Sequence, residues 1–182
     1  MTIAEKRIEK FCEYLHKQEE AHSLYLWGGQ GEQVETNGRN NLKIVAEMET
    51  TLDKAQAVAD KLMDCYFKGF DMSKARYFDC SGLGVYYFLK KGFITCDKTA
   101  NGLYKLCKDH PKMEDLKPGD FVFKSFSGNN WGHIGYCSGR ASDGSILVTE
   151  SRGRAYGVVT RPLYAGDWKA TGRPDFWEKK TA

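Results

Sequence analysis

The sequence predicts an α+β domain, with helices gathered in the first half and a run of antiparallel strands in the second. Two observations carry this. In the segments 3–20, 41–70 and 80–91, apolar residues recur at steps of three and four, which places them on one face of a helix. From residue 117 onward, short segments rich in Phe, Val, Ile and Thr are separated by Gly, Ser, Asn or Asp, the pattern of strands joined by turns. A chain of 182 residues suits one domain with a sizeable core.

The first helix is predicted over 3–20, with Ile8, Phe11, Cys12 and Leu15 as its inner face. LYLWGGQGE (24–32) follows, where aromatic residues run into a Gly-Gly pair and a loop with close backbone approach is expected. Over 41–70, Val45, Met48, Leu52, Ala55, Ala59, Leu62 and Tyr66 form one stripe. Thr50 followed by Asp53 has the form of a capping box, which leaves the segment open to reading as one helix or as two, with Gly69 as the stop. The stripe is expected to pack on its own domain, because a dimerising coiled coil needs more heptads. Asp79 is placed to cap a helix running from near Cys80 to about Lys91, closed by Gly92. A short helix is expected at 99–108. Strands are then expected in LKPGDFVFK, WGHIGYCSG, SILVTESRG and YGVVTRPL. The tail WKATGRPDFWEKKTA reads as irregular, with Trp168 and Trp177 pinned to the body. There is no internal repeat and no low-complexity segment.

Composition excludes several functions. The net charge of +3 is modest and the longest basic clusters are pairs, Lys90-Lys91 and Lys179-Lys180, so no nucleic-acid footprint is present. No window approaches the roughly 18 apolar residues of a membrane span. The N-terminus is charged throughout and lacks an apolar h-region, so synthesis in the cytoplasm without a signal peptide is expected. Cysteines stand at 12, 65, 80, 96, 107 and 137, without a C-x-x-C pair and without zinc-ligand spacing to a histidine. All but Cys80 read as reduced, partly buried spacers.

Cys80 stands at the opening of a helix, where unpaired N–H groups and the macrodipole favour a thiolate. Gly82 and Gly84 leave the first turn bare, so that a substrate backbone or a facing strand can approach closely. A thiolate nucleophile also needs a base and a group that orients the base. His133 in WGHIGYC is the candidate base. In a strand it shares a face with Gly135 and Cys137, which leaves room over the ring. The competing reading is a structural histidine. Glu150, in ILVTESRGR, shares a face with Val148 and can accept the imidazole N–H. Read instead as structure, it is a strand-end carboxylate paired with Arg152 or Arg154.

The strings YLWGG, FDCSGL, LKPGDFVF and HIGYCSG, in this order, resemble the NlpC-type cell-wall cysteine peptidases. The resemblance implies a papain-like fold, with N-terminal helices on a central antiparallel sheet of about five strands. It implies Cys80 as nucleophile, His133 as general base, and Tyr25 beside the Cys80 N–H as stabiliser of the oxyanion. Asp79 and Ser81, with Trp27 from the Trp-Gly-Gly segment, are implied to contact substrate. Where the family often carries a histidine in an IHA-like strand, this chain has VTES, which puts Glu150 in the third catalytic position. Compared with compact members, the single domain 1–182 carries a helical insertion at about 33–76. That insertion, together with ESRGRAYGVV, resembles phage and prophage lytic proteins. The implied function is cleavage of an amide bond in peptidoglycan stem peptides, most simply γ-D-glutamyl to diamino acid, after phage lysis or tail delivery. An N-acetylmuramoyl-L-alanine amidase on the same scaffold, and a non-catalytic tail or wall-binding component, are the alternatives. No metal or organic cofactor is implied, the partner is peptidoglycan, and the sequence says nothing of oligomeric state.

Overall fold

A capping box starts the chain: the Thr2 hydroxyl accepts from the Glu5 N–H, and the Glu5 carboxylate accepts from the Thr2 N–H. The helix it opens, α1 (Ile3–Glu20), buries Phe11, Cys12 and Leu15, three of the four residues expected on its inner face. The computed structural model describes residues 1–35, 38–128 and 130–179. After α1 come β1 (Leu24–Tyr25), β2 (Gln30–Gln33), α2 (Gly38–Met48), α3 (Leu52–Phe67) and β3 (Arg76–Phe78). The three strands form a small sheet in the order β1-β3-β2, with β1 parallel and β2 antiparallel to β3.

The stripe over 41–70 folds as two helices, the second of the two readings that the capping signal left open, but the cap is Thr51, whose hydroxyl accepts from the Lys54 N–H. The break resets the helical phase. Val45, Val58, Leu62 and Cys65 pack with Leu24, Leu26, Met72 and Tyr77 into one cluster, whereas Leu52, counted in the stripe, is left exposed at the start of α3. Gly69 has φ +73° and ends the segment, a conformation glycine adopts without a Cβ penalty.

The second half follows as α4 (Gly82–Lys90), α5 (Ala100–Leu106), β4 (Cys107–Asp109), β5 (Phe121–Ser127), β6 (Asn130–Arg140), β7 (Ile146–Ser151), β8 (Val158–Pro162) and β9 (Ala170–Pro174). The large sheet has six strands in the order β4-β9-β5-β6-β7-β8, every neighbouring pair antiparallel. The helix expected over 99–108 ends at Leu106 and gives way to β4, and the tail expected to be irregular supplies β9. Residues 170–174 insert between β4 and β5, with Phe121 opposite Gly172 and Cys107 opposite Pro174. Gly and Pro hide this strand from a propensity reading. Gly172 is needed there because a Cβ would lie 2.6 Å from the Cys107 Sγ. Trp168 and Trp177 are both buried, as expected of the tail's tryptophans.

Alternation along β6 separates the two faces of the sheet. Ile134 and Tyr136 join Phe11, Phe88, Phe121 and Trp177 under α1 and α4. Cys137 turns the other way, with Val122, Val148, Leu116 and Trp168. Among the described residues no helix is long and apolar enough to cross a membrane.

Candidate active site

Strand β3 runs into Asp79-Cys80-Ser81, and the parallel pairing of β1 sets Tyr25 opposite Phe78, one step before this turn. The Asp79 N–H donates to the Gly29 carbonyl at 3.0 Å. Its carboxylate accepts from the Gly82 N–H at 2.6 Å and from the Ser81 hydroxyl at 3.1 Å. Asp79 therefore caps α4, as the sequence indicated, but the helix begins at Gly82, two residues after Cys80. The Asp79 carboxylate takes the Gly82 N–H, the first of the helix. The expectation that the dipole lowers the thiol pKa is corrected by burial. Burial pushes the Cys80 thiol up to about 12 and the Asp79 charge adds to it, against the opposing N–H groups of Ile134 and Ser81.

Two glycines fix the turn. A Cβ on Gly82 would lie 2.0 Å from the Gly29 carbonyl oxygen, and one on Gly84 would lie 2.6 Å from the Tyr136 ring. The bare surface of α4 therefore meets a facing turn and an aromatic ring. The Tyr136 hydroxyl sits 3.3 Å from the Cys80 carbonyl and 3.1 Å from that of Ser81, and holds the segment from below. Because Gly29 presents backbone, which cannot swing aside, Gly82→Ala is expected to destabilise the protein by several kcal/mol. Denaturant unfolding checks this; a midpoint within experimental error of wild type would contradict the packing.

The Cys80 Sγ lies 3.7 Å from the Gly132 carbonyl, and the Ile134 N–H acts on the same thiol. These two backbone groups flank His133, so the thiol is set against the strand at the histidine. His133 is buried, with Nε2 2.7 Å from the Glu150 Oε2. Trp168 stacks on the imidazole, ring centroids 5.7 Å apart and planes 10° from parallel. The room expected over the ring beside Gly135 is where Trp168 lies; a Cβ there would come within 2.7 Å of the indole.

Glu150 is almost fully buried and uses each oxygen separately. Oε2 takes His133, while Oε1 accepts from the Arg161 Nε at 3.0 Å and Nη2 at 2.6 Å. Burial alone would raise this carboxyl, but the hydrogen bonds from His133 and Arg161 overcome it and hold Glu150 at about 2. Arg161 was missed in the sequence, where Arg152 and Arg154 stood nearer. Antiparallel pairing of β7 with β8 sets Arg161 opposite Val148, one side-chain step from Glu150 on the same face. Arg152 instead stacks on Tyr156 at 3.9 Å. Arg154 forms a two-pronged ion pair with Glu49 at 2.9 and 2.7 Å.

Glu49, just beyond α2, also accepts the Trp27 N–H at 3.2 Å, and the Arg154 guanidinium lies 5.2 Å over the Tyr25 ring. The α2 end thus props the Tyr25 side of the turn. Burial raises the Tyr25 hydroxyl, and the Cys80 and Asp79 charges raise it further, so Tyr25 stays a neutral donor near the thiol. Trp27 is largely exposed at the rim. Ser81 is buried and gives its hydroxyl to Asp79. The structure thus brings Tyr25, Asp79, Cys80, Ser81, His133 and Glu150 to one place, with Trp27 at its edge.

The arrangement resembles solved structures across nearly the whole chain. The P60 domain of a Mycobacterium avium subspecies paratuberculosis antigen aligns with a TM-score of 0.51 at 17% identity, covering 92% of this chain and 96% of that one. The peptidoglycan hydrolase RipB from Mycobacterium tuberculosis aligns with a TM-score of 0.50 at 18% identity, covering 92% and 66%. At such identities the likeness is one of fold. No curated protein matches the chain. The sequence pattern of the NlpC/P60 family matches residues 66–171, a span that holds Cys80, His133, Glu150 and Arg161 and makes up more than half of the chain. The chain belongs to the NlpC/P60 family.

Proposed function

We propose that the protein is a cysteine peptidase that cleaves peptidoglycan stem peptides between γ-D-glutamate and the diamino acid. The observation that carries this reading is the 2.7 Å contact of His133 with a buried, ionised Glu150, on a histidine whose two backbone neighbours touch the Cys80 thiol. A thiol held up at about 12 is inert near neutrality unless its proton moves to a partner, and in this reading that partner is His133, whose backbone neighbours Gly132 and Ile134 meet the thiol.

His133 accepts the thiol proton, and the thiolate attacks the scissile carbonyl carbon. The Cys80 N–H and the neutral Tyr25 hydroxyl stabilise the oxyanion. The tetrahedral intermediate collapses as the C–N bond breaks and imidazolium protonates the leaving amine. His133 then takes a proton from water, the hydroxide attacks the thioester carbonyl, the C–S bond breaks, and the imidazolium returns its proton to the sulfur as the carboxylic acid leaves. Throughout, Glu150 holds the imidazole orientation and stabilises its positive charge. Asp79, Ser81 and Trp27 border the acyl side. A phage or prophage source fits the same reading through the resemblance of ESRGRAYGVV (150–159) to lytic proteins of that kind.

Mass spectrometry of digested muropeptides tests the bond. The expected product carries a new amine on the diamino acid; a new amine on L-alanine would establish an amidase instead and overturn the proposed specificity.

A further inference from the structure

Lys124 is a charged residue at the site for which the hydrolytic steps above have no use. It stands on β5 directly opposite His133, so the two side chains share a face of the sheet. Its Nζ lies 4.3 Å over the ring of Trp168, the same indole that stacks on His133. Among the described residues Lys124 forms no ion pair. The carboxylates whose fields reach it are committed elsewhere, Glu150 to His133 and Arg161, and Asp167 to Lys169. Burial lowers the Lys124 ammonium pKa; the Glu150 charge offsets this in part, and the smaller influences of Arg161 and Arg152 press downward again. A partly buried cation whose neighbouring carboxylates are bonded to other partners gains most from an anion that arrives with the ligand.

Which part of a substrate brings that anion follows from the chemistry. The imidazolium must protonate the leaving amine, so the leaving-group residue passes beside His133. Cys80 approaches β6 where β7 ends, since the Ser151 hydroxyl on β7 bonds the Phe78 carbonyl just before the Cys80 turn. Strand β5 is the neighbour of β6 on the opposite side. Lys124 thus lies across His133 from the nucleophile, on the leaving-group side.

We propose that Lys124, laid on Trp168, is a binding site for a free carboxylate carried by the leaving-group amino acid. This rests on the peptidase reading with His133 as proton shuttle. The carboxylate has two possible sources, the α-carboxylate of a residue that ends the peptide and a carboxylate at the end of its side chain. The cation serves substrate selection, and the bond-breaking steps are unchanged.

The test compares kcat/KM on synthetic γ-D-glutamyl peptides that differ only in the leaving residue. One has meso-diaminopimelate with a free side-chain carboxylate, one has the same residue amidated, and one has L-lysine. Each is made with and without a following D-alanine, which blocks or frees the α-carboxylate. Wild type is expected to favour peptides with a free carboxylate by at least about 10-fold. The pair with and without D-alanine shows which source is read. In Lys124→Gln the ratio between peptides is expected to collapse toward one, in Lys124→Glu to invert, and in Lys124→Arg to persist. Equal wild-type kcat/KM on all the peptides, or a ratio that survives in Lys124→Gln, overturns the subsite while leaving the peptidase intact. Failure of wild type to cut any of them overturns the peptidase reading and the subsite with it.

Discussion

Cys80→Ala is expected to lower hydrolysis of wall peptides by roughly 10⁴-fold or more while leaving the fold intact, because the proposed mechanism routes its covalent intermediate through this thiol. Its removal costs little packing: Cys80 is only partly exposed but lies at the margin of the main cluster, and its Sγ contact with Gly132 at 3.7 Å is weak. Stability within about 1 kcal/mol of wild type is therefore expected, checked by thermal unfolding beside the activity assay. The same thiol carries a second signature. With burial and Asp79 holding it near 12, its alkylation near neutral pH depends on proton transfer to His133. Rapid iodoacetamide labelling of Cys80 in wild type should become slow in His133→Ala. Labelling at an equal rate in both would show that the imidazole does not activate the thiol.

Glu150 is expected to have the second largest effect, and on two axes. Its folded-state carboxyl sits at about 2 against an ordinary value of 4.5, so folding favours the ionised form. The stability this contributes, about 3 kcal/mol, is present in full above pH ~4.5 and is lost as pH falls toward 2. Glu150→Gln should flatten that acid limb of the stability profile. Glu150→Ala should cost more, about 3–5 kcal/mol, because it leaves the Arg161 guanidinium without its carboxylate in a largely buried setting. In catalysis Glu150→Gln is expected to lower kcat by roughly 10²–10⁴-fold with KM little changed, since an amide neither fixes the tautomer nor offsets imidazolium charge. A Glu150→Gln protein with a flattened acid limb but an unaffected kcat would mark this residue as a structural anchor with no part in catalysis.

The features legible in the sequence are those set by local periodicity and punctuation. The α1 boundaries, the Gly69 and Gly92 stops and the alternation along β6 all follow from spacing, and the structure reproduces each. The proposed nucleophile, base and carboxylate were likewise nameable, because each sits in a motif with its own local logic. What escaped depends on long-range pairing. Strand β9 owes its existence to a slot between β4 and β5, which outweighs the low strand propensity of its Gly and Pro. Arg161 reaches Glu150 through register across two strands, and no sequence distance prefers it over Arg152 or Arg154. The Glu49–Arg154 pair joins residues 105 apart. The expectation about the helix dipole failed for a different reason. Backbone N–H groups at the turn, those of Ser81 and Ile134, do favour the thiolate, but burial outweighs them and the Asp79 charge adds to it.

The central claim is the proposed one that Cys80 forms an acyl intermediate with a wall peptide. Acid-quenching the wild-type protein during turnover of a γ-D-glutamyl peptide and mapping the adduct by mass spectrometry tests it directly. The expected result is a thioester of the acyl fragment's mass on Cys80 and on none of the other five cysteines. Turnover with no adduct on Cys80, or with the adduct on another residue, would contradict it.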